Sequence, residues 1–168
     1  MSQFGIRYAE GLKVLPVLTV ADIVATATAT AYIDCDQINW LTFLVSFGAI
    51  ASTDSTGEVV VTVEASTAGS SNATEGAIAG SYRLSAAVAT DTMGAITAFT
   101  STGFAVNNTA DNTVLVIDID PAVVAASAAD RRFVRVVFTP TAEITSTIVG
   151  VTAIAEPRYP GNSIPSST

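Results

Sequence analysis

Few side chains in this 168-residue chain could do chemistry, and they fall in a handful of places. Asp34 with Asp36, and Asp118 with Asp120, are the closely spaced acidic pairs. Residues two apart on a strand share a face, so either pair would hold a Ca²⁺ ion if a third ligand converged. The ordered spacing and the glycine of a calcium loop are missing, and solvated strand ends that discourage edge pairing are the plainer reading. Paired carboxylates also serve glycoside hydrolysis, but only at a set separation across a cleft. Arg131, Arg132 and Arg135 form the one basic cluster. Its structural reading is a strand start whose charges face solvent or meet Asp118, Asp120 or Asp130; its functional reading is an anchor for an acidic partner surface. Cys35 is the single cysteine, and a nucleophile there would need a base in a chain without histidine. The same lack excludes Ser-His-Asp and Cys-His schemes and most zinc sites. No Gly-rich loop runs into Lys and Ser or Thr, so a phosphate cradle is unsupported. An enzyme is therefore not expected, and neither is a cofactor or a resident metal. Trp40 would serve a sugar-binding sandwich if exposed, but it precedes a strongly apolar run, and a core position is expected.

Charge narrows the partners. The net charge is −8 with a single lysine, Lys13, so nothing supplies the clustered cations that nucleic acid requires. Charged residues make up 13% of the chain against roughly 25% in ordinary soluble proteins. A surface of Ser, Thr, Ala and Gly suits a protein that sits against other subunits. The start of the chain lacks the charged and apolar regions of a secretory signal, which predicts synthesis in a cytoplasm. The uncharged stretch 37–53 is shorter than a membrane span and contains Asn39, Ser46 and Gly48, so a buried strand is expected there and no membrane partner.

These residues must be positioned by strands. Trp40 to Phe47 and Glu58 to Ala65 are apolar, β-branched and aromatic runs separated by a loop of Gly, Ser, Thr and Asp, the composition of a hairpin. Val59, Val61 and Val63 share one face of the second run; in the first, both faces are largely apolar and burial on both sides is expected. Alternating Thr and Ala predict a strand over 25–33. Residues 77–89 read as strand or short helix, 94–100 and 103–106 as short strands. Thr113–Asp120, Arg132–Thr139 and Thr147–Ala155 read as strong strands. Pro121 and the Ala-rich residues 122–129 are the one helix candidate. The expected fold is all-β, a single-domain β-sandwich or jelly roll over 16–155 with at most one short helix. An N-terminal arm over 1–15 and a proline-broken tail over 156–168 flank it, with Phe4, Tyr8, Arg158 and Tyr159 as candidate interface anchors.

The run from Trp40 to Ile50, the returning Gly57 to Ser66, the Arg-led Arg131 to Pro140 and the closing Val149 to Pro160 together resemble the head decoration, or cement, proteins of tailed bacteriophages. In such proteins a first strand ending in Gly-Ala precedes a Val-rich second strand, and an Arg-led strand comes before the tail. The resemblance implies a subunit that joins others, often as a homotrimer, on the outside of a capsid. There it would bridge copies of the major capsid protein, with no reaction and no cofactor. A carbohydrate-binding module and another virion component, of tail, neck or fibre, are the alternatives.

Overall fold

The computed structural model describes residues 12–24, 26–70, 74–86, 90, 92–159 and 166–167. Its first strand, β1 (Lys13–Asp22), is followed by two short ones, β2 (Thr28–Ala29) and β3 (Tyr32–Asp34). A single 3₁₀ turn, Cys35–Gln37, leads into the long β4 (Ile38–Ser52). Then come β5 (Glu58–Ser66), β6 (Gly76–Ile78), β7 (Gly80–Leu84), β8 (Thr97–Phe99), β9 (Phe104–Asn107) and β10 (Val114–Ile119). The helix α1 (Pro121–Ser127) precedes β11 (Phe133–Pro140), β12 (Ile144–Pro157) and β13 (Ser166–Ser167). Among the described residues, one sheet runs β1-β12-β4-β10-β7-β8 and the other β13-β3-β11-β5-β6, with β2 on β11 and β9 on β5. Every pairing between these strands is antiparallel. The expected all-β sandwich with one short helix is the architecture the chain adopts.

The core lies between the two sheets, where period-two alternation aims one side of each strand inward. Leu41, Phe43, Val45 and Phe47 of β4, Leu115, Ile117 and Ile119 of β10, and Val149 and Val151 of β12 are buried from one layer. Val59, Val61 and Val63 of β5 and Val134, Val136 and Phe138 of β11 are buried from the other. Phe47 meets Phe138 across the layers edge to face, centroids 6.1 Å apart. Tyr82 stacks on Phe104 at 3.8 Å, with Phe99 beside them, so these rings also join strands of opposite sheets. Full burial of each large apolar side chain contributes roughly 1.5–3 kcal/mol.

The expected central hairpin does not form. β4 pairs with β12 and β10, whereas β5 pairs with β11, β6 and β9, so the loop between them crosses from one sheet to the other. Both inward faces are continuous valine, leucine and phenylalanine, and packing them face to face buries more than laying them side by side. The loop supports itself: Thr56 donates to Asp54 Oδ1 from its backbone at 2.8 Å and its hydroxyl at 2.6 Å. The hydroxyl first, then the backbone group, holds the Asp54 carboxyl below its ordinary range. Strand β4 is also not buried on both sides. Trp40 is 44% exposed and Ser46 is exposed, which corrects the core placement of the tryptophan.

The strand expected over 25–33 is broken into β2 and β3: the Thr30 backbone N–H still donates to Val136 O of β11, but that of Ala31 turns to Val17 O in the opposite sheet. The described residues of 77–89 contain strand rather than helix. At the outer segments, β1 begins at Lys13, β12 runs to Pro157, and β13 pairs with β3. Phe4 and Tyr8 lie outside the described residues.

Candidate functional site

Part of the basic cluster and one member of an acidic pair, Arg132 and Asp34, meet at one end of the sandwich. Asp34 closes β3, and its carboxylate accepts the Asp36 backbone N–H at 3.0 Å, capping the 3₁₀ turn. With a side chain only 5% exposed, it also accepts from Arg132 Nη2 at 2.8 Å. The backbone fixes this meeting, since Cys35 N–H donates to Arg132 O and Arg132 N–H to Ser66 O. Arg132 lies beside Phe133, its guanidinium carbon 4.9 Å from the ring centroid. Arg135 sits three residues on from Arg132, on the outer side of β11, and pairs with Glu64 at 2.9 Å and Glu75 at 3.1 Å. Its guanidinium carbon is 4.8 Å from the Tyr32 ring centroid. The expected partners Asp118, Asp120 and Asp130 take neither arginine.

Asp118 accepts instead from the Thr42 hydroxyl at 2.7 Å, and Asp120 caps α1 through the Ala122 N–H at 2.8 Å. Each acidic pair is therefore split between separate structural duties. No group of three or more His, Cys, Asp or Glu among the described residues is placed to hold a metal ion. Cys35 is buried, and desolvation first, then the nearby Asp34 charge, pushes its thiol up to about 12. A thiol so protonated at neutral pH is no nucleophile.

Between α1, the 3₁₀ turn and the ends of β11 and β12 lies a cleft of about 550 Å³. Arg131, Arg132 and Arg158 line it together with Asp36 and Asp130, and Pro121, Ala125 and Phe133 supply apolar wall. Arg131 is held by Nε to Thr74 O at 2.9 Å, and its guanidinium lies over Gly76, where a Cβ would come within 2.4 Å of Nη2. Arg158 is held through its backbone N–H to Gln37 O at 2.8 Å and its Nε to Ile38 O at 3.2 Å. Tyr159, the next residue, is 64% exposed. Arg158 and the cluster at 131–132 thus share one cleft, a meeting the sequence does not announce because Arg158 follows the far end of β12.

A second surface is the outer face of the six-stranded sheet. Cross-strand register lays Val14, Ile154, Thr42 and Asp118 in one row, and Pro16, Thr152, Leu44, Val116 and Arg83 in the next. Val20 lies over Gly150 and Ile148 over Gly48. Val14, Val20, Trp40 and Ile148 are exposed, and no charge stands on this face of β4 from Thr42 to Gly48 or of β12 from Ile148 to Ile154. Val14 and Val20 of β1 and Ile148 of β12 escape sequence reasoning because apolar residues stand on both faces of each strand, so alternation does not say which side is wet. No helix among the described residues is long and apolar enough to cross a membrane.

Neither a protein-family model nor a curated protein matches the chain. Among solved structures it is distantly similar, at 9% identity and a TM-score of 0.25, to a chain of the structure of infectious bursal disease virus Gt strain. The similarity takes in 94% of this chain and 43% of that one, so the chain spans less than half the length of the protein it aligns with.

Proposed function

We propose that this protein is a structural component of a virus particle, and within that class a decoration, or cement, protein on the outside of a tailed-bacteriophage head. The observation that carries the reading is the outer face of the six-stranded sheet, with Val14, Val20, Trp40 and Ile148 exposed beside stretches of β4 (42–48) and β12 (148–154) that carry no charge. Contiguous apolar surface of this kind marks interaction sites. In this reading the face packs against neighbouring subunits and the capsid surface. The protein assembles as a homotrimer, bridges copies of the major capsid protein, and carries out no reaction. It is made in the bacterial host cytoplasm. Many weak contacts per particle would hold it, since multivalent attachment raises avidity without strong single sites.

Light scattering on the purified protein, followed by sedimentation with empty capsids, tests this. A trimer that co-sediments is the expected result; a monomer that stays in the supernatant overturns the reading. The exposure of Trp40, paired across the strands with Glu156, favours one other reading, a carbohydrate-binding module. Glycan binding that disappears in Trp40→Ala would establish that alternative, since an aromatic face beside a carboxylate is suited to a sugar ring.

A further inference from the structure

We propose that the cleft between α1, the 3₁₀ turn and the ends of β11 and β12 binds a carboxylate side chain of an acidic peptide segment on a partner protein. The argument starts from charge pairing. The chain carries fifteen acidic residues against seven basic ones, yet among the described arginines Arg83, Arg131 and Arg158 have no carboxylate partner. Arg132 and Arg135 are paired within the chain, to Asp34 and to Glu64 and Glu75. Arg131 and Arg158 have no carboxylate within 4.0 Å among the described residues, and both line this one cleft. Each is held at Nε by a backbone carbonyl, of Thr74 and of Ile38. That anchoring fixes the plane of the guanidinium, and among the described residues Nη1 and Nη2 of Arg158 donate to nothing.

A guanidinium fork held in this way matches a carboxylate, with two parallel N–H···O bonds. Asp36 and Asp130 also line the cleft, both exposed, and their charge decides the ligand class. Two negative charges beside two unpaired positive ones oppose a dianion or a polyanion, but leave room for a single negative charge seated between the arginines. The apolar wall of Pro121, Ala125 and Phe133 receives the side chain next to the acidic one. The occupant is therefore an acidic residue flanked by apolar ones, rather than phosphate or nucleic acid. This inference stands on the cleft alone; failure of capsid binding would leave it standing, and its own failure would leave the particle reading standing.

The test uses the full chain, labelled with ¹⁵N, and three probes: the capped peptide Gly-Leu-Glu-Leu-Gly, the same peptide with Gln in place of Glu, and inorganic phosphate. The Glu peptide is expected to shift the Thr67, Arg132 and Phe133 amides saturably and to bind at least about tenfold more tightly than the Gln peptide, the difference one charge-assisted pair makes. Arg158→Gln, a change at an exposed side chain, is expected to reduce Glu-peptide binding to the Gln-peptide level while the spectrum stays dispersed. Equal binding of the two peptides, shifts that do not saturate, or phosphate binding more tightly than the Glu peptide would each overturn the proposal. The comparison of peptides on the unaltered protein holds even if the variant fails to fold.

Discussion

Breaking the Asp34–Arg132 pair from its two ends is expected to give unequal losses of stability. The carboxylate is 5% exposed and the guanidinium side chain 51% exposed, so the same 2.8 Å contact has one dry and one wet partner. Arg132→Gln strands a buried carboxylate that keeps a single backbone donor, the Asp36 N–H. Removing one partner of a fully buried pair costs about 3–5 kcal/mol, and an exposed pair contributes about 0.2–1 kcal/mol. A half-exposed pair falls between, at about 2 kcal/mol. Asp34→Asn keeps an acceptor for the Asp36 N–H and releases Arg132 to water, which costs about 1 kcal/mol. Equilibrium urea denaturation measures both. For a domain of this size the corresponding fall in Tm is about 4–8 °C for Arg132→Gln and about 2–4 °C for Asp34→Asn. An Asp34→Asn loss equal to or larger than that of Arg132→Gln would refute the assignment of Asp34 as the desolvated member.

Three more outcomes are expected. Gly103 has φ +74° and a Cβ there would lie 2.3 Å from Val61 O, so Gly103→Ala should cost at least about 2 kcal/mol in urea denaturation, from left-handed strain and displacement of β9. Because the folded Cys35 thiol is pushed up to about 12 from an ordinary 9.0, the unfolded chain loses its proton first as pH rises. Stability from this group is complete below pH 9 and declines between pH 9 and 12, and Cys35→Ala should flatten that decline in an alkaline denaturation series. Val20 is 75% exposed, so Val20→Lys should change stability by less than about 0.5 kcal/mol while abolishing co-sedimentation with capsids.

The sequence made the inward faces legible and the partners illegible. Val59, Val61 and Val63, or Leu115, Ile117 and Ile119, are fixed by alternation alone, and all six are fully buried. The helix at Pro121 is equally local, declared by a proline at its first position and an aspartate before it. The connection between β4 and β5 reads as a hairpin because a loop of Ser, Thr, Asp and Gly is compatible with a hairpin and with a crossing between sheets; the choice depends on β11 and β12, which come much later in the chain. Trp40 reads as core for a related reason: an apolar outer face and an apolar inner face look alike along β4. The ion pairs join residues 98, 71 and 60 positions apart, so the three arginines could be recognised as a cluster, but Arg132 could not be assigned to Asp34 nor Arg135 to Glu64 and Glu75.

The crossing between β4 and β5 also bears on the order in which the chain can be made and folded. The chain changes sheet again from β6 to β7, from β8 to β9, from β9 to β10, from β10 to β11 and from β11 to β12. Neither layer can be assembled from a contiguous piece, and β4 waits for β12 as its neighbour. Distant pairings of this kind place folding on the millisecond-to-second scale. A nascent chain made only through β11 leaves one flank of β4 unpaired, so the sandwich is completed only once β12 has emerged. Fragments cut anywhere before β12 should accordingly require chaperones and be cleared by proteases, a quality check that comes from topology alone.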